Sequence, residues 1–172
     1  MREYLLLLPI IFIYHDMEEI VGIGHFYSKN MWLFDRFPKV MKAYKGFTHE
    51  GFSVAVYEEF IPFFGISLLA YYFPNQILFA LWYGVFLSLT GHFFIHIGQA
   101  IYIRKYIPCL ATSIICLPVC ILILVKSAAF IVWSTMTVGL AVAGIAFIIV
   151  NFKVAHWVMH IINEQVSMSG NI

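Results

Sequence analysis

Charge is scarce in this chain. Only 11% of its 172 residues are Asp, Glu, Lys or Arg, against 62% hydrophobic and 18% aromatic, and mean hydropathy is +0.89. A soluble domain this small needs more polar surface than that to cover its core, which points to an integral membrane protein built of helices. Cysteine is also sparse: Cys109, Cys116 and Cys120 lie in one apolar stretch, and the last two share a helix face. They read as reduced, buried cysteines rather than a disulfide or a zinc site. The net charge of +1 gives no indication of nucleic acid as a partner. A small-residue cleavage site is missing after the first apolar run, so that run is expected to stay as a membrane span rather than leave as a signal peptide.

Long apolar runs are what the chain has instead. A helix needs roughly 20 apolar residues to cross the hydrocarbon core. Five candidate spans result, roughly 4–26, 50–73, 76–102, 108–126 and 129–152, with a helical extension over 153–167. The expected fold is all-α: a single transmembrane domain over 1–172, a polytopic bundle of about five helices. Pro74-Asn75 forms a turn between the second and third spans, and Arg104 to Pro108 separates the third from the fourth.

With five spans, Lys29, Arg36, Lys39, Lys42, Lys45, Arg104, Lys105 and Lys153 fall on one side, and Arg2 and Lys126 on the other. This eight-to-two split predicts the N-terminus outside and the C-terminus in the cytoplasm. Between the first two spans, bases alternate with Trp32, Phe34, Phe37 and Phe47. That mixture suits a segment lying at the membrane interface.

Basic residues are absent from the interior of the spans, yet acids are present. Asp16, Glu18 and Glu19 fall in the first span, Glu58 and Glu59 in the second. An acid at this depth costs about 2.5–3.5 kcal/mol on insertion scales. Such groups require protons, water, histidinium or a metal ion.

Histidine supplies the partners. His15 with Glu18 and Glu19 forms an i, i+3, i+4 set near one helix face. His92 and His96 are four apart, with Gln99 a step further, and His156 and His160 repeat that spacing. At a rise of about 1.5 Å per residue, His15 to Glu19 lie roughly 16–22 Å from the outer surface, and His92 and His96 roughly 24–30 Å. Glu18, Glu19, His92 and His96 can therefore share one site, while His156 and His160 reach it only if the fifth helix tilts. His25 and His49 sit near span ends, where hydrogen bonding at the interface is the ordinary role.

The set His15, Glu18, Glu19 in a first span resembles the defining motif of the HXXEE family of small bacterial membrane proteins. Arg104, Lys105, Tyr106, Pro108 and Thr112 are similar to that family's turn before its fourth span, where members usually carry glycine at the position of Cys109. The likeness covers about the first 125 residues. It implies the helical membrane fold, a shared polar site and a multi-pass place in a bacterial inner membrane, with no established activity.

The residues themselves suggest a membrane metalloenzyme of hydrolase or oxygenase type. A divalent metal, iron or zinc, as one ion or two, would be held by Glu18, Glu19, His92 and His96, with His156 and His160 as further candidates. His15 and one of Glu58 or Glu59 would be further ligands or act as acid or base. The expected partners are the lipid bilayer, a lipid or other apolar substrate and a second copy of the chain. A proton-coupled or metal-ion transporter would use the same groups. A structural or immunity-type protein would use them as interhelical glue.

Overall fold

A computed structural model describes residues 1–169, and among these every regular element is helical. The order is α1 (Arg2–Leu5), α2 (Leu7–Lys29), α3 (Trp32–Arg36), α4 (Pro38–Met41), a 3₁₀ turn (Lys42–Tyr44), α5 (His49–Tyr72), α6 (Gln76–Ile103), α7 (Leu110–Ala128) and α8 (Thr135–Ser169). Helices α5 to α8 are each long and apolar enough to cross a membrane. With 23 residues, α2 is long enough too, but it carries three acids in its middle. Four to five spans thus form a helical membrane protein.

Local chemistry sets the boundaries. The side chain of Thr48 accepts the Gly51 N–H and that of Asn75 accepts the Leu78 N–H, capping the starts of α5 and α6. The sequence places the fifth span from 129, but α8 begins at Thr135. Ser134 and Thr137 explain the difference: the Thr137 hydroxyl accepts the Ser134 N–H at 2.8 Å, and the Ser134 hydroxyl accepts the Thr137 N–H at 3.3 Å. This reciprocal cap fixes the start of the helix inside an apolar run. From there α8 continues unbroken through the expected extension. Pro62 and Pro118 lie inside α5 and α7.

Helix α8 packs between α5 and α6, α7 packs on α6 and reaches α2, and α2 lies along α5. The α6–α8 crossing is backbone on backbone. A Cβ on Gly84 would run into the Ala141 carbonyl, and one on Gly144 would stand 3.2 Å from the Val85 nitrogen. Two amides tie α8 to α5. Asn151 donates to Glu58 at 2.7 Å, and Asn163 accepts from the Thr48 backbone and hydroxyl at 3.2 and 2.6 Å. The core is aromatic and aliphatic, with Phe63, Trp82, Phe86 and Phe93 fully buried. Val21, Tyr57, Ile61 and Ile101 stand outward on the bundle, an apolar exterior suited to lipid.

Candidate metal centre

Helical periodicity brings His15 and Glu19 to one face of α2, and His92 and His96 to one face of α6. One ligand atom from each of the four lies within 4.8 Å of all the others. His96 Nε2 stands 3.0 Å from Glu19 Oε1 and 2.6 Å from His92 Nε2, and His15 Nε2 stands 3.8 Å from Glu19 Oε1. His15 is fully buried, packed on Phe93 with ring centroids 4.6 Å apart, and Phe152 of α8 stacks on His92 at 5.5 Å. The packing holds three imidazoles in fixed orientations.

The outer nitrogens decide what those rings offer. The Thr112 hydroxyl lies 2.6 Å from Glu18 Oε2 and 2.9 Å from His15 Nδ1. It has one proton, which it donates to the carboxylate, so it accepts the N–H of His15. His96 Nδ1 donates in the same way to Gln99 Oε1 at 3.3 Å. Both rings then present a bare Nε2 lone pair inward, and His15 Nε2 is buried without a hydrogen-bond partner. Two lone pairs and a carboxylate facing one another repel unless a metal ion or a shared proton lies between them.

The motif thus splits in its roles. Glu18, expected among the ligands, points away from the cluster. It accepts the backbone N–H of Thr112 at 2.8 Å, the Thr112 hydroxyl and the Tyr106 hydroxyl. Thr112 lies in the first turn of α7, whose preceding residue Cys109 makes no side-chain cap. Glu18 therefore caps that helix from α2, where an anion is favoured. Close approach makes this possible: a Cβ on Gly22 would stand 2.8 Å from the Pro108 side chain. Cys109 itself is held at φ 88, a left-handed conformation that suits glycine. The Tyr106 phenol, hydrogen-bonded to Glu18, is pushed up to about 12.

Glu58 and Glu59 divide in the same manner: Glu58 accepts from Asn151, and Glu59 faces a cavity of about 610 Å³ that Glu19, His92 and His96 also line. His156 reaches the wall of this cavity, with Nδ1 2.7 Å from the Phe152 carbonyl. His160 turns outward and pairs at 3.4 Å with Glu164. The structure adds residues that spacing alone did not single out. Asp16 lines the cavity, is 5% exposed and leaves Oδ2 without a hydrogen-bond partner. Its signal was its place inside the acidic stretch. Thr112 had only its position after the Tyr106–Pro108 turn to mark it.

The chain has been compared with known proteins. The model of one family, described as "Protein of unknown function with HXXEE motif", matches residues 6–123. No curated protein and no solved structure matches the chain.

Proposed function

The chain belongs to the family of proteins with an HXXEE motif, and we propose that it is a membrane-embedded metalloenzyme acting on a lipid or other apolar substrate. One observation carries this reading. The inward Nε2 atoms of His15 and His96, whose Nδ1 protons are committed to Thr112 and Gln99, face Glu19, and no lysine or arginine is among the described residues lining the adjoining cavity. His92 completes the set. Bonds of about 2.1 Å to a common ion would place neighbouring ligand atoms about 3.0 Å apart in an octahedron and about 3.4 Å in a tetrahedron. The separations of 2.6, 3.0 and 3.8 Å bracket both values.

The donor set narrows the choice of ion. Four protein ligands close a tetrahedral zinc site, whereas catalysis needs an open position. Six-coordinate iron would keep two positions free with all four ligands bound. The ion would supply Lewis acidity at the edge of the cavity. Asp16 and Glu59, which face that cavity without joining the four-residue set, are placed to hold and move protons. The cavity lies within the ~300–1,000 Å³ common for small-molecule sites and is walled chiefly by aromatic and aliphatic side chains, Phe, Tyr and Ile foremost. That lining supports an apolar substrate.

The eight-to-two division of basic residues supports a C-terminus in the cytoplasm. The family resemblance supports a bacterial inner membrane. Elemental analysis of protein purified without chelating resin tests the central claim. A transition metal at a fixed ratio near one or two per chain is the expected result. Absence of metal, or metal or proton flux in proteoliposomes, would replace the enzyme with a proton network or a carrier.

A further inference from the structure

We propose that the cavity holds a single-chain amphiphile with an anionic head, seated with its head at the basic end of the bundle and a carbon well down its chain at the His/Glu cluster. This deepens the enzyme reading by naming the substrate class, and it rests on that reading only for the chemistry, not for the binding.

The cavity has two chemically different ends. At one lie Asp16, Glu19, Glu59, His92 and His96. At the other, Leu33 of α3, Phe37 between α3 and α4, Met41 of α4 and Tyr44 from the 3₁₀ turn line the cavity with Tyr102 and Ile103 at the end of α6. Phe37 and Tyr102 stand side by side here with ring centroids 5.9 Å apart. His96 lies seven residues before Ile103 and His92 eleven, which is about 10 and 16 Å along the helix axis. The reactive end is therefore deep, and the lining between the two ends is mostly apolar, with Gln99 and His156 the polar exceptions among the described lining residues besides tyrosine.

Charge marks the shallow end. Residues 29–45 carry five bases, Lys29, Arg36, Lys39, Lys42 and Lys45, against one acid, Asp35. All five bases are exposed, as are Arg104 and Lys105. None of the seven lines the cavity. They stand beside residues that do: Arg36 precedes Phe37, Lys42 follows Met41, Lys45 follows Tyr44 and Arg104 follows Ile103. Lys105 is held in place by Asn30 at 2.7 Å and by the Trp32 ring at 5.7 Å from its centroid. A neutral lipid or a small apolar molecule would have no use for this rim. A head of carboxylate or phosphate pairs with it, and the attached chain enters an apolar channel of matching depth.

Head and reactive centre are then separated by the length of the channel. The linkage joining head to chain would remain at the rim, out of reach of the cluster. A reaction at the cluster would concern the hydrocarbon chain.

The test uses the wild-type chain in phosphatidylcholine nanodiscs, both as purified and after metal removal. The probes are palmitic acid carrying a diazirine near the carboxyl or at mid-chain, and the mid-chain diazirine on a lysophosphatidylglycerol and on the neutral palmityl alcohol. Crosslinked residues are mapped by mass spectrometry. The head-proximal probe should label 33–44 and 102–103, and the mid-chain probe 16–19, 59 and 92–96, with or without metal. Preference for the fatty acid or for the lysophospholipid identifies which anionic source the site takes. Neutralising Arg36, Lys39 and Lys42 to Gln should weaken labelling by about fivefold per charge removed. Equal labelling by the alcohol, or labels spread over outward residues such as Val21 and Ile61, would overturn the proposal. The expected map on a chain that never holds metal would leave this inference standing and remove the enzyme reading.

Discussion

Glu18 on α2 accepts both the backbone N–H and the hydroxyl of Thr112 on α7, at 2.8 and 2.6 Å. The first glutamate of the motif is thus a cap on a neighbouring helix and, through the same hydroxyl, an anchor for the His15 ring. Only the second glutamate faces the cluster.

This arrangement predicts that Thr112→Val costs about 1–3 kcal/mol, because the His15 N–H and Glu18 both lose a buried partner. If a metal is bound, its affinity should fall 10–100-fold, as for other partners that orient a ligand. Thr112→Ser should preserve both. Thermal unfolding and metal titration of the two variants check this, and equal behaviour of Val and Ser would remove the hydroxyl from the account.

Substitution at Glu19 separates a metal site from a proton network. Without a cation, Glu19→Gln removes the desolvation cost of a buried charge and should leave stability unchanged or raised. With a cation, it removes an anionic ligand, and bound metal and melting temperature should fall together. His92→Ala should do the same from α6, and the double variant should lose little more than either single one. A raised melting temperature in Glu19→Gln with unchanged metal content would end the metalloenzyme reading.

Tyr106 offers a pH test outside the spans. Its phenol is held up to about 12 by the bond it donates to Glu18, against a value near 10 when unfolded. The neutral form is favoured on folding, so its contribution is complete below pH ~10 and is lost as pH rises through about 12. Melting temperatures of wild type and Tyr106→Phe, compared between pH 8 and 12, should differ most at the low end and converge at the high end. A constant difference would mean that the bond does not titrate with this group.

The α6–α8 crossing should not tolerate a methyl group. Gly84→Ala places a Cβ against the Ala141 carbonyl and should cost roughly 1–3 kcal/mol. Gly139→Ala on α8 meets nothing within 4 Å and should be neutral or stabilising by up to ~1 kcal/mol. Unfolding of the two variants in the same detergent gives the comparison directly.

The helical class and the meeting of α2 with α6 were legible because they depend on periodicity and depth alone. Apolar length gave the spans, and counting residues from the span ends put His92 and His96 near the level of Glu19. Periodicity could not tell Glu18 from Glu19, because neighbours on a helix differ by only about 100° and the choice rests on Thr112, far off in sequence. Glu58 was hidden for the same reason, its partner being Asn151 on α8. The pair His156 and His160 looked equivalent at four residues apart, but only the first meets the cavity, and the second has Glu164 within reach on the solvent side. Cys109 shows the opposite case. A position where related proteins were expected to carry glycine is indeed left-handed here, so the backbone demand was readable even though the residue had changed.

The two amides of α8 have a mechanical consequence. Asn151 meets Glu58 and Asn163 meets Thr48, so moving outward along α8 means moving backward along α5. Two pins set twelve residues apart fix the register of these antiparallel rods, and sliding by even one residue, about 1.5 Å, would misalign both. At 35 residues α8 is about 52 Å long, well beyond the ~30 Å of a hydrocarbon core. Its outer portion is thereby a stiff handle. A displacement of that handle along its axis would act, through these two pins, on the helix turn of α5 that bears Glu58 and its neighbour Glu59.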